Sequence, residues 1–103
     1  MSRVVVVGSG IAGLIVAIQA SRDHAVTLIT KAELGESNTR YAQGGIAAVL
    51  SADDTVESHI ADTMAAGAGL SRAVAVQVLC SEGPDRIQDL IDFGVTFDRI
   101  NGQ

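Results

Sequence analysis

Gly8, Gly10 and Gly13 stand in the spacing G-x-G-x-x-G within "VVVVGSGIAGLIVAIQA". A β-branched run precedes them and an apolar run of helical composition follows. In that setting the first glycine permits a tight turn, the second lets backbone approach a pyrophosphate, and the third lets helix and strand pack closely. A diphosphate would then sit at the helix N-terminus, where backbone N–H groups and the helix dipole favour an anion. The usual partner of this fingerprint is an acid at the end of the following strand, hydrogen-bonded to ribose hydroxyls. Here that position is Thr30, followed by Lys31. Thr30 still offers a ribose a hydroxyl, though a neutral group bonds more weakly than a carboxylate. Glu33 lies close enough to be the acid under a shifted register, and Lys31 reads equally as a solvated loop lysine or a nucleotide contact.

A second constellation is "SNTRYAQGGIAAVL", residues 37 to 50. It gathers hydroxyl, amide and small side chains around a glycine pair, where a plain dinucleotide domain would begin an ordinary helix. No Cys or His pair has the spacing of a zinc site, and no Ser, His and Asp set suggests hydrolysis, so no catalytic or metal-ligating residue is assigned. Asp53, Asp54, Glu57 and Asp62 are read as an acidic helix start that complements the dipole. His24 is expected in an exposed turn, His59 is expected to be structural, and Cys80 is expected to be a small buried helix residue.

The elements that must position these groups are those of an α/β protein. "RVVVVG" reads as a parallel strand buried on both faces and central in its sheet. "IAGLIVAIQASR", from Ile11 to Arg22, reads as a helix and "AVTLIT", from Ala25 to Thr30, as a second strand, which makes a βαβ start. Residues 31 to 45 carry no period and several turn residues, so they form a loop; "IAAVL" reads as a brief strand. Asp54, with Glu57 three residues on, is expected to cap a helix carrying Val56, Ile60 and Met64 on one face, ending near "GAG". Ser71 is expected to cap a helix with Val74 and Val78 inward that stops at Gly83. Pro84 then opens another with Ile87, Leu90 and Ile91 inward, ended by Gly94, and "VTFD" reads as strand-like.

Composition agrees. Of 103 residues 48% are apolar but only three are aromatic, so the core must be aliphatic. The net charge of −5 and the lack of a basic stripe argue against nucleic acid as a partner. A single cysteine permits no intrachain disulfide and points to a reducing cytoplasm. The apolar run from Val4 to Ala20 is too short and too interrupted by glycine to be a membrane span, and no membrane partner is expected.

"ESNTRYAQGGIAAVL", with "VESHIADTMAAGAGL" and "LIDFGVTFD", resembles the N-terminal part of the L-aspartate oxidase family, within the succinate dehydrogenase and fumarate reductase flavoprotein superfamily. The resemblance covers essentially the whole chain. It implies FAD as cofactor, with Ser9, Gly10, Ile11, Ala12 and Lys31 as adenosine-side and phosphate contacts. It also implies a flavin cradle of Asn38, Thr39, Arg40, Tyr41, Ala42, Gln43, Gly44 and Gly45. These residue types suit a flavin, whose N5 and carbonyls need hydroxyl, amide and backbone partners, and a glycine pair lets main chain approach a flat ring. The resembling respiratory subunits carry a flavin-linking His and a Glu where this chain has Asn38 and Gln43, so the FAD is expected to be non-covalent.

The resemblance further implies oxidation of L-aspartate to iminoaspartate, with electrons passed to oxygen or fumarate, as the first step of de novo NAD biosynthesis; quinolinate synthase would use the product. The alternatives are a fumarate reductase or succinate dehydrogenase flavoprotein subunit, and a non-catalytic dinucleotide-binding module. Residues 1–103 are expected to be the N-terminal part of an FAD-binding domain: a Rossmann-like βαβ start with a helical continuation, cut from a larger FAD/NAD(P)-binding fold. Alone they are expected to self-associate and not to turn over aspartate, since they hold no paired cations for a dicarboxylate and no second domain.

Overall fold

The computed structural model describes residues 1–34, 36–37, 40 and 45–99. The chain divides into two compact units, Met1–Gly44 and Gly45–Gln103.

The first unit is the expected βαβ start. Strand β1 (Arg3–Val7) leads through the glycine turn into helix α1 (Ile11–Ala20), and strand β2 (Ala25–Ile29) returns parallel to β1. The register pairs Val4 with Val26 and Val6 with Leu28, so these four side chains share the sheet face on which α1 packs. Val6 is buried at that contact.

The other face departs from expectation. Val5 and Val7 are 59% and 79% exposed, and among the described residues β1 pairs with β2 alone rather than lying central in a sheet. A run apolar at every position encodes cover on both faces, and the described residues supply it on one. His24, expected to be exposed, is half-buried, with its Nδ1 shielded from solvent.

The second unit is helical. Helix α2 (Val56–Ala66) opens at Thr55, one residue after the expected cap: the Thr55 hydroxyl accepts the Ser58 N–H at 3.1 Å, while the Asp54 carboxylate accepts the Thr55 N–H at 2.8 Å. Both residues can cap, and the chain uses the one whose oxygen reaches the third helical N–H. Val56, Ile60 and Met64 form its half-buried stripe, as the period predicts.

Helix α3 (Ala73–Asp92) is continuous, which corrects the expected break at Gly83 and Pro84. Its N-cap is Arg72, with no side-chain cap, so Ser71 does not perform that role. Proline has the same fixed φ at a helix start and inside a helix; an internal proline forfeits one hydrogen bond and crowds the carbonyl four residues back. Packing offsets that cost here, since Cys80 and Ile87, on either side of Pro84, are both buried.

The buried stripe of α3 is Val76, Cys80 and Ile87, not Val74 and Val78, which are largely exposed. Leu90 is half-buried and Ile91 exposed. Cys80 is fully buried, as expected, and its Sγ lies 3.8 Å from the Thr63 hydroxyl of α2. Gly94 ends α3 as read: at φ +100° it lets its own N–H reach Ile91 O and the Val95 N–H reach Leu90 O, the paired bonds of a left-handed cap. Residues 46–50 and 95–99 form no strand, since neither apolar run finds a ladder partner among the described residues.

Candidate functional site

Parallel pairing carries the C-terminal ends of β1 and β2 to the same edge, Val7 opposite Ile29. Beyond that edge the Gly8 N–H donates to Ile29 O at 2.8 Å, so the two chains leave the sheet side by side. Gly8 takes φ +112°, a backbone that side chains rarely adopt, and turns the chain into α1. Gly13 allows the helix to lie against that turn. A Cβ at Gly13 would overlap the Gly8 carbonyl oxygen and meet Val6 Cγ1 at 3.6 Å. The first and third glycines of the fingerprint are therefore required by geometry. The second, Gly10, is the N-cap of α1 and offers no side-chain oxygen to its first turn, which leaves capping to backbone or to a ligand.

A cleft of about 650 Å³ opens at this strand edge. Gly8, Ser9 and Gly10 form one part of its lining, Thr30, Lys31 and Ala32 another, and Glu36 and Ser37 join from the loop. Openings beyond the carboxyl ends of parallel strands are where α/β sheets take ligands. Ser9 is 4% exposed, and its hydroxyl lies 2.9 Å from that of Thr30, tying the glycine turn to the end of β2. Lys31 places an exposed cation at the cleft.

Of the residues singled out from sequence, Gly8, Ser9, Gly10, Thr30 and Lys31 meet at this cleft. Ile11 and Ala12 open α1, and Gly13 forms the helix–strand contact. Arg40 is exposed and pairs with Glu36 at 3.1 Å. Gly45 is the first residue of the second unit, where an added Cβ would meet nothing within 4 Å. Asn38, Thr39, Tyr41, Ala42, Gln43 and Gly44, assigned to the flavin cradle, lie outside the described residues. Glu33, the acid of the alternative register, is exposed, and the carboxylate that lines the cleft is that of Glu36. Sequence reading missed Glu36 and Ser37 because a loop carries no period to aim its side chains. The signal for Val7 and Ile29, also in the lining, was available in their place as the last residues of paired parallel strands.

Among the described residues no group of His, Cys, Asp or Glu could hold a metal ion, and no helix is long and apolar enough to cross a membrane.

Residues 3–103 match the family model described as FAD binding domain. The chain is 54% identical over 94 residues to the chloroplastic L-aspartate oxidase of Oryza sativa subsp. japonica, covering 91% of this chain and 15% of that protein. It is 50% identical over 96 residues to the L-aspartate oxidase of Streptomyces coelicolor, covering 92% of this chain and 17% of that one. The chain thus spans about a sixth of the length of these relatives. Among solved structures, a chain of the Mycobacterium smegmatis Sdh1 complex in the apo form superposes with a TM-score of 0.86 at 35% identity, over 98% of this chain and 18% of that one. The likeness to L-aspartate oxidases expected from the "SNTRYAQGGIAA" block, and the α/β fold with its βαβ start, are both borne out.

The described residues fit the dinucleotide end of FAD. A turn stripped of side chains at Gly8 and Gly10 meets a helix N-terminus, and Thr30 and Lys31 face the same space with a hydroxyl and a cation.

Proposed function

The chain belongs to the FAD-binding domain family, and from that premise we propose that it is the N-terminal part of an FAD-binding domain in an enzyme that oxidises L-aspartate to iminoaspartate. The observation that carries the substrate is the 54% identity to L-aspartate oxidase over 91% of the chain, against 35% to the Sdh1-complex chain. The cleft at the β1 and β2 edge supports the cofactor half of the reading.

In this reading Gly8 and Gly10 let the main chain approach the diphosphate, and the first turn of α1, Ile11 and Ala12 included, donates N–H groups to it. Gly13 holds helix to strand so that those donors keep their aim. Thr30 serves a ribose hydroxyl, and Lys31 offsets phosphate charge from the cleft mouth. Asn38 to Gly45, with Arg40 among them, would surround the ring. When bound, the flavin supplies the two-electron chemistry, and the protein supplies position, electrostatics and exclusion of water. Electrons would pass to oxygen or fumarate, and the unstable product to quinolinate synthase in the first step of de novo NAD biosynthesis. The single thiol, buried at Cys80, is compatible with a reducing cytoplasm.

A second reading, a dicarboxylate dehydrogenase flavoprotein subunit, is favoured by the superposition on the Sdh1-complex chain. One experiment separates the two. The full-length protein, purified yellow and made anaerobic, is mixed with L-aspartate or with succinate. Bleaching by aspartate alone is the expected result; bleaching by succinate alone establishes the second reading and refutes the first.

A further inference from the structure

Ser9 is a nearly buried residue between two glycines at the foot of α1, and its hydroxyl shows one hydrogen bond, to the Thr30 hydroxyl 21 residues away. Either oxygen can be the donor. A hydroxyl carries one proton and two lone pairs, so the direction of this bond decides what each residue presents to the cleft. If Ser9 donates to Thr30, Ser9 has only lone pairs left to offer the cleft it lines, and these would repel an anion there. If Thr30 donates to Ser9, the Ser9 proton is free for an anion, and Thr30 keeps lone pairs for an incoming O–H. A diphosphate at the helix N-terminus selects the second direction. The position after β2 is also where a ribose is met in this topology.

We propose that Ser9 and Thr30 form a one-directional hydroxyl relay that couples the two halves of a nucleoside diphosphate: a ribose hydroxyl donates to Thr30, Thr30 donates to Ser9, and Ser9 donates to a phosphate oxygen. The proposal rests on the nucleotide reading of the cleft. Ser9 is in this scheme a binding residue for phosphate and a positioning residue for Thr30. Each bond in such a chain polarises the next, so the ribose contact strengthens when the phosphate contact is made. A carboxylate at position 30 could not pass a proton onward in this way. The neutral Thr30 therefore gives up a charged ribose contact and gains dependence of that contact on the diphosphate.

The test uses the full-length protein freed of flavin, with ADP and 2′,3′-dideoxy-ADP as probes and titration calorimetry as readout. The parent should prefer ADP over the dideoxy nucleotide by roughly tenfold, the scale of one well-made hydrogen bond to a partly charged chain. Ser9→Ala should weaken ADP by a similar factor and shrink the preference to about twofold or less, because Thr30 loses the partner that fixed its proton. Ser9→Cys, similar in size with a weakly bonding thiol, carries the same expectation should the alanine variant fail to fold. Thr30→Ser should keep the preference. A preference undiminished in the Ser9 variant, in a parent that binds ADP, overturns the relay and leaves the nucleotide reading standing. A parent that does not bind ADP overturns both.

Discussion

A methyl group placed on Gly13 would overlap the carbonyl oxygen of Gly8. The oxygen belongs to the main chain and the backbone fixes where a Cβ sits, so no rotamer change can relieve the clash, and α1 would have to move away from the turn that leads into it. Gly13→Ala should therefore cost about 1–3 kcal/mol as an overpacking change and misplace the first turn of the helix. The full-length variant should purify with a markedly lower flavin-to-protein absorbance ratio than the parent. A ratio and melting temperature equal to the parent's would show that the helix–strand contact does not govern cofactor retention.

Lys31 is exposed at the cleft, so its contribution to nucleotide binding should be mostly long-range and screened. Lys31→Gln is expected to weaken ADP binding at low salt by roughly threefold to tenfold, with the difference fading toward ~0.5 M salt as screening removes the parent's advantage. Titrations of both proteins across salt concentrations decide this; parallel salt dependences would place Lys31 outside the nucleotide's field.

The parts of the fold legible in the sequence were those encoded over a few residues. The valine run, the glycine spacing and the second apolar run placed β1, α1 and β2 to within two residues, because each depends on local backbone chemistry. Ser9, Thr30 and Lys31, singled out from those same short patterns, line one cleft. Misreadings arose where a residue type fits two contexts. Pro84 suits a helix start and also persists inside α3, and only the burial of Cys80 and Ile87 decides between them. Val74 and Val78 share a face by period, yet α3 buries the Val76 and Cys80 face, since a helix with apolar residues on more than one side does not announce which side meets its neighbour. The bond between Ser9 and Thr30 spans 21 residues and depends on parallel register, which no local pattern states.

Thr55 caps α2 by accepting the Ser58 N–H. Thr55→Ala leaves that donor to water and should destabilise the helix by about 1 kcal/mol, whereas Thr55→Ser should be near neutral. Asp54→Ala should cost less, because Asp54 bonds the Thr55 N–H outside the helix. Amide hydrogen exchange over residues 56–60 of the full-length protein provides the measurement. Faster exchange in Asp54→Ala than in Thr55→Ala would return the cap to Asp54.

Gly83 lies inside α3, where, its chain neighbours Glu82 and Pro84 and the helix backbone aside, a Cβ would meet the Ala48 Cβ at 3.7 Å, an ordinary contact. Gly83→Ala should stabilise the helix by at most about 0.5–1 kcal/mol, through lost freedom in the unfolded chain and better helix propensity, offset in part by crowding of the new Cβ against the Pro84 ring. Slower amide exchange on both sides of Pro84 is the expected signature. A destabilised variant would mean that α3 needs the glycine to absorb the crowding of the proline ring.

In the proposed reading Asn38 stands beside the flavin, and although it lies outside the described residues its chemistry follows from its type. A covalent link to the flavin methyl needs a nucleophile such as an imidazole nitrogen, and an amide nitrogen, its lone pair delocalised into the carbonyl, is not competent. In the proposed reading the cofactor is then retained by the sum of weaker contacts, among them those offered by the Gly8 turn, the first turn of α1, and Thr30 and Lys31, at the cleft. Acid precipitation of the full-length protein should therefore release all flavin into the supernatant, and Asn38→His alone should not create a bond unless the surrounding groups also activate the ring. Yellow colour persisting in the washed pellet of the parent protein would show a covalent link and would require a nucleophile other than Asn38.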